Sequence, residues 1–231
     1  MLSALGFLSI LGRSSAPTDR SFRWFPAAGA VLGVMEALTW WGAQLAWPLP
    51  LAAAIAIAVD LAITGLLHVD GLADAADGLL PHLDRARRLE VMRQPDVGAF
   101  ALGVVPCVLL LRWAALASGG TSPWSIIAVW SLSRTLAAAV PSFVPYARND
   151  GLATPFLGAS NRWVLIAFVP GCALLAVAQG PIGVLAAGVG AIGAGALVRL
   201  AVGRLGGFTG DVLGACILVF ETLALIVLAA R

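Results

Sequence analysis

The chain has 231 residues, 60% of them hydrophobic and 11% charged, with a mean hydropathy of +0.95. That composition lies far from the soluble globular average and points to a membrane protein with several spans. All fourteen basic residues are arginine, and a net charge of +2 dispersed along the chain excludes nucleic acid as a partner. Residues 1–11 are weakly amphipathic, too short to span and without the basic n-region of a cleavable signal, so a short interfacial helix is expected there. A polar stretch, 13–23, ends in the aromatic anchors Phe22, Trp24 and Phe25.

Apolar segments then recur at about 26–47, 51–67, 99–117, 123–145, 163–178, 182–202 and 212–230. Pro141 and Pro145 are expected to kink the fourth, and the glycines of the sixth (Gly188, Gly190, Gly193, Gly195) to allow close helix packing. The expected architecture is an all-α polytopic membrane protein of about seven transmembrane helices plus the N-terminal interfacial helix, in a single domain over 1–231. Charge sets its orientation. The loops at 69–98, 146–162 and 203–211 carry Arg85, Arg87, Arg88, Arg93, Arg148, Arg162 and Arg204, whereas the turns at 48–50, 119–122 and 180–181 carry no charge. By the positive-inside rule the charged loops face the cytoplasm, together with every candidate chemical motif. Cys107, Cys172 and Cys216 lie far apart in apolar segments and read as small core residues; with only His68 and His82, a zinc or haem site is not expected.

Six charges fall inside the spans: Glu36, Asp60, Arg112, Arg134, Arg199 and Glu221. Each costs about 2.5–3.5 kcal/mol at a helix centre, which calls for opposite-sign pairing or a water-filled cavity. Arg134, whose surroundings Ser131 and Ser133 make more polar, is the one expected to face a phosphate-bearing ligand.

The segment 67–79, LHVDGLADAADGL, carries the chemistry. Asp70, Asp74 and Asp77 sit at i, i+4 and i+7, on one face of a helix. At roughly 6 Å and an effective dielectric of about 20, each pair repels by about 2–3 kcal/mol. Water or a cation must offset that. Oxygen donors without histidine or cysteine select a hard cation, Mg²⁺ or Mn²⁺, which shares its coordination with substrate phosphates. Arg93, Arg148 and the glycine-rich turn 206–210, with Gly210 beside Asp211, supply phosphate-binding groups on the same face. Phosphoryl or nucleotidyl transfer at the membrane surface is the chemistry these residues suggest.

The same residues resemble a known family. HVDGLADAADGL is similar to the HLDGLADTADGL signature of the cobalamin synthases, the adenosylcobinamide-GDP ribazoletransferases. RWFPAAGAVLG, VMRQPDVGAF, the Ser133-Arg134 pair, YARNDGL and GGFTGDVLGA resemble further blocks of that family, in order and over nearly the whole chain. Gln94 stands where the family has an acid, with Asp96 two residues on, and Leu218 precedes Glu221 where an acid often follows the last block.

The resemblance implies a multi-pass enzyme of a bacterial or archaeal inner membrane. It joins α-ribazole, or its 5′-phosphate, to adenosylcobinamide-GDP and releases GMP, the last assembly step of cobalamin biosynthesis. It implies Asp70, Asp74 and Asp77 as ligands of Mg²⁺, with Mn²⁺ as the substitute, and Asp77 or Asp74 as the proton acceptor. Arg93, Arg134 and Arg148 would hold phosphates, Asp211 and Gly210 would complete the substrate site, and His68 would orient a neighbour or act in catalysis. Neutralising any one of the three aspartates is expected to leave the fold intact. Further partners, a second copy or other corrinoid-assembly enzymes, are left open. Two other readings stand beside it. A CDP-alcohol phosphotransferase has a comparable acidic membrane helix, but Asp70 to Asp74 lacks that motif's arginine; a secondary transporter would couple ions through Glu36, Asp60 and Glu221.

Overall fold

The computed structural model describes residues 1–11, 21–148 and 162–230, except the side chains of Arg162 and Trp163. Asn149, Asp150 and Gly151 of the YARNDGL block, and most of the first polar stretch, lie outside the described residues. The described residues are helical throughout: α1 (Leu2–Leu8), α2 (Phe25–Ala43), α3 (Leu49–Ile63), α4 (Leu67–Leu79), α5 (Arg85–Val91), α6 (Ala99–Ala117), α7 (Pro123–Ala139), α8 (Phe168–Gln179), α9 (Pro181–Leu205) and α10 (Gly210–Ala229).

Local chemistry sets the boundaries. Pro123 and Pro181 open α7 and α9 at positions where a missing N–H costs nothing, and Ser122 and Thr209 cap α7 and α10 through the N–H groups of Ser125 and Val212. The kink expected in the fourth apolar segment is an end. Helix α7 stops at Ala139, and a short 3₁₀ turn through Pro141 follows. Helices α6, α9 and α10 are each long and apolar enough to cross a membrane. Helices α3 and α4 meet that test only together, bent by 87°, so the described residues hold three such helices, or four with the bent pair.

The bend departs from the expected layout, in which the acidic segment simply follows the second apolar run. Gly65 and Leu66 both take the left-handed conformation, at φ 58° and 61°. A β-unbranched leucine there is strained and needs its surroundings to hold it. The Thr64 hydroxyl donates to Asp60 O at 2.7 Å, and Ile10 N donates to Ile63 O at 2.8 Å. Helix α1 is therefore tied through Ile10, just after it, to the end of α3, with Ala4 and Leu8 buried, and belongs to the packed bundle.

The centre of the bundle is an ion cluster. Arg112 of α6 donates to Glu221 of α10 at 2.7 Å and to Asp60 of α3 at 3.2 Å. Arg134 of α7 pairs with the other oxygen of Glu221, which also accepts from the Ser133 hydroxyl at 2.9 Å. Trp130 donates its indole N–H to Asp60 at 3.1 Å, and the Arg112 guanidinium lies 5.1 Å from the ring centroid. Two acids offset two arginines. Glu36 is buried outside this pairing and its carboxyl oxygens have no hydrogen-bond partner among the described residues, while Arg199 is exposed. Of the glycines of the sixth apolar segment, Gly190 and Gly193 lie directly against Phe220 and Leu223 of α10, whereas Gly188 and Gly195 face open space. Cys216 is buried and Cys107 exposed, so the second is not the core residue expected.

Breaking a buried pair leaves an uncompensated charge, at a cost of about 3–5 kcal/mol. Glu221→Ala strands Arg134 and leaves Arg112 with Asp60 alone, so a large drop in the melting temperature of the detergent-solubilised protein is expected. Glu90→Ala, which breaks only the exposed Arg87–Glu90 pair, should leave it within about 1 kcal/mol of wild type.

Candidate active site

Helix α4 packs on the start of α10 through two glycines. A side chain at Gly71 would meet Asp211 O at 2.8 Å, and one at Gly214 would lie 3.5 Å from His68 Cα. Absent side chains let the two backbones touch, which brings Asp211 to the acidic face of α4. Asp74 is half-buried there, under the repulsive fields of Asp211, Asp70 and Asp77 and the attractive field of Arg148. Asp70 is exposed. The one-face spacing of the three aspartates holds, and Asp211 joins them from another helix.

Asp77 has a different surrounding. It is 8% exposed, and its two oxygens accept from Gly98 N at 2.7 Å and Ala101 N at 3.0 Å. These are the first N–H groups of α6, so the carboxylate caps that helix from a neighbouring one and meets the positive end of its dipole. Gly98 leaves the space, since a side chain there would meet the carboxylate at 2.6 Å.

Arginines and main chain tie the remaining blocks to this face. Arg148 pairs with Asp211 at 2.9 Å and donates to Met92 O at 3.2 Å. Arg85 donates to Leu205 O at 2.6 Å and to Ala147 O at 3.2 Å. Tyr146 and Phe208 form a short parallel bridge, with Ala147 N to Phe208 O at 2.8 Å. Arg88 donates to Gly78 O at 2.7 Å and Arg204 to Leu80 O at 3.2 Å, both at the end of α4. The four blocks containing Asp70, Met92, Tyr146 and Thr209 thus meet at one end of the bundle.

Two concavities flank Arg148. One is an open groove of about 640 Å³ lined by Arg85, Arg93 and Arg148. The other, about 120 Å³, lies between α1, α4 and α10, with Phe7, Phe22 and Phe25 on one side and His68, Asp70, Gly210 and Asp211 on the other.

Of the residues expected from sequence, Asp70, His68, Arg148, Gly210 and Asp211 line the smaller cavity, and Arg93 lines the groove. Asp74 and Asp77 line neither concavity, and nor does Arg134. It is fully buried in the central ion cluster, paired with Glu221. Sequence reasoning missed Arg85, whose loop charge looked like any other, and α1, whose leucines suggested only an interfacial helix.

The family profile described as cobalamin-5-phosphate synthase matches residues 1–229. The chain belongs to the cobalamin-5-phosphate synthase family. It is 39% identical over 214 residues to the adenosylcobinamide-GDP ribazoletransferase of Bradyrhizobium diazoefficiens, covering 89% of this chain and 81% of that one. It is 35% identical over 237 residues to the enzyme of the same name from Ralstonia nicotianae, covering 95% and 88%. To that of Chlorobium phaeobacteroides it is 34% identical over 222 residues, covering 91% and 88%. No solved structure matches the chain. At the two positions where this chain departs from the family pattern, Gln94 and Asp96 are exposed beyond α5, and Leu218 is buried one turn before Glu221 of the ion cluster.

The cap on α6 separates the three aspartates of α4 in a measurable way. Asp70→Asn and Asp74→Asn remove like-charge repulsion and should leave the melting temperature unchanged or slightly higher. Asp77→Asn turns an NH₂ group toward an N–H donor and should cost about 0.5–2 kcal/mol, the worth of a helix cap. A thermal-melt series on the three variants checks this, and equal melting points would remove the cap.

Proposed function

We propose that this chain transfers the adenosylcobinamide-phosphate group of adenosylcobinamide-GDP to α-ribazole, or its 5′-phosphate, with release of GMP, as the last assembly step of cobalamin biosynthesis. The observation that carries this is the meeting of four motif blocks, far apart in sequence, around Asp74, Asp211 and Arg148 at one end of the bundle. Family membership over residues 1–229 supports it.

In this reaction the ribazole 3′-hydroxyl oxygen bonds to the phosphorus next to the aminopropanol oxygen. The bond from that phosphorus to the bridging oxygen breaks, GMP leaves, and the hydroxyl proton passes to a carboxylate. Asp74 is the acceptor we assign, because both Asp77 oxygens are engaged by backbone N–H groups. Arg93 and Arg148 bind the pyrophosphate, Arg148 being held in place by Asp211. Among the described residues no three His, Cys, Asp or Glu side chains converge into a self-sufficient metal cage. A partial set of oxygen donors suits Mg²⁺, which keeps waters and substrate phosphates in its shell. Asp70 and Asp211, beside the carboxylate of Asp74, are the pair that would hold Mg²⁺ or Mn²⁺, which would supply charge neutralisation for the pyrophosphate and the leaving group. The acids of the transporter reading find a different use here, since Asp60 and Glu221 are consumed by pairing with Arg112 and Arg134.

Purified protein with Mg²⁺, adenosylcobinamide-GDP and α-ribazole should release GMP in proportion to cobalamin formed. Asp74→Asn should abolish turnover, and Arg148→Ala should weaken the pyrophosphate substrate by about 1.5–3 kcal/mol, roughly ten- to a hundredfold. Mg²⁺ should raise the wild-type melting temperature by mass action, and less so in Asp74→Asn. Unaltered kinetics in both variants would remove these residues from the site.

The arginine-bearing loops support a multi-pass arrangement of about seven spans with the N-terminus, α4 and α5 on the cytoplasmic side of the inner membrane. Ala86 is exposed on α5. In cells, a cysteine placed there should react with an impermeant maleimide only after the membrane is opened; labelling from outside intact cells would invert the topology.

A further inference from the structure

The arginine groove holds one acid among the described residues. Arg85, Ala86, Leu89 and Glu90 share one face of α5, Arg93 follows in the turn after it, and Arg148 joins from beyond α7. Three arginines suit phosphate, but a carboxylate beside them repels it. Glu90 is therefore misplaced in this lining unless some other part of the ligand meets it.

Its own helix does not use it up. Arg87 Nη1 donates to Glu90 Oε2 at 2.8 Å from outside the groove lining, and Oε1 has no partner among the described residues. The two side chains are 48% and 60% exposed, and so exposed a pair is weak. It orients the carboxylate and leaves its remaining lone pairs to a ligand.

At about 640 Å³ the groove lies within the roughly 300–1,000 Å³ of small-molecule sites, enough for a nucleoside diphosphate. In the transfer reaction proposed above, on which this rests, the diphosphate carries guanosine and GMP is released. Guanine presents N1–H and its 2-amino N–H side by side, two donors that match the two acceptor oxygens of one carboxylate. Adenine presents an acceptor nitrogen at the corresponding place, which a carboxylate repels. Ala86 and the partly buried Leu89 offer apolar surface to the face of a base.

We propose that Glu90 reads the guanine base of adenosylcobinamide-GDP, accepting from N1–H and the 2-amino group, while Arg93 and Arg148 hold the phosphates. Glu90 is thus a specificity-determining residue, and Arg87 is a positioning residue that holds its carboxylate from outside the groove. A site built to meet such donors rejects a base that lacks them, because its own polar group is then left unmet.

The test uses the full chain in lipid nanodiscs and equilibrium binding of GMP, IMP and AMP, the second lacking the 2-amino group and the third both donors. Wild type should bind GMP at least tenfold more tightly than AMP, with IMP between. Glu90→Gln replaces one acceptor oxygen by an NH₂ group and removes the negative charge. It should weaken GMP at least tenfold, weaken IMP less, and leave AMP unchanged or slightly tighter as the phosphate loses a repulsive neighbour. Inhibition of turnover by GMP should weaken in step, with KM for α-ribazole unchanged. Arg87→Ala breaks the same ion pair but keeps the carboxylate, and should retain most of the preference for GMP. Both changes are at exposed positions, so both variants should melt near wild type. The assignment is overturned by a wild type that does not prefer GMP to AMP, or by a Glu90→Gln variant that keeps the preference or loses all three nucleotides equally. An Arg87→Ala variant that loses the preference as fully as Glu90→Gln overturns it too. Wild-type protein that selects GMP through Glu90 but forms no cobalamin would refute the transfer reaction and leave the base site standing, whereas GMP release with an unaltered preference in Glu90→Gln would do the reverse.

Discussion

Charge inside an apolar bundle must be neutralised, and that constraint organises this fold. Arg112 reaches two acids on two different helices, and Glu221 reaches two arginines, so α3, α6, α7 and α10 are tied at one level. The desolvation cost of such ions is repaid only with every partner in place, which makes the cluster sensitive to position. Through its backbone carbonyl, Asp60 at one corner of it also accepts from both the N–H and the hydroxyl of Thr64, so the end of α3 is fixed just before the chain turns. The site at the end of the bundle inherits its placement from this interior.

From that fixed point two left-handed residues swing α4 through 87° and lay its Gly71 against α10. The acidic helix is thereby held between a buried cluster at one end and the α6 cap at the other. Asp77 shows how a residue in a chemical motif can serve the frame. Its carboxylate sets the start of α6, and α6 in turn carries Arg112 into the core.

Much of this was legible in the chain. The apolar segments, the helix carrying Asp70, Asp74 and Asp77, and the pairing of Asp60 and Glu221 with arginines follow from periodicity and the cost of lone charges in lipid. So does the company of Arg148 and Asp211 near the acidic face, since their loops fall on the same side of the bundle. Other features were hidden because they depend on where chains meet. A left-handed Leu66 has no sequence signal, and nothing in a run of leucines tells that α1 packs on α2 or that Ile10, just after it, bonds to the end of α3. For Arg134 the sequence leaves pairing and a phosphate both open, and the structure shows pairing: Ser133, which makes that arginine look wet, donates to its partner Glu221. Asp77 could not be told from its neighbours by spacing, because the groups that distinguish it belong to residues 98 and 101.

The arginines framing the site bond mostly to carbonyl oxygens: those of Leu205, Ala147, Met92, Gly78, Leu79 and Leu80. Every residue type has such an oxygen. The bonds themselves are therefore indifferent to which side chain stands at the accepting position, although Leu205, Ala147, Met92, Gly78 and Leu79 are buried and must also keep their packing. Substitutions can accumulate at those acceptors over evolutionary time without disturbing the donors. A chain can thus change at its acceptors, within the limits of packing, and still hold its arginines in the same place.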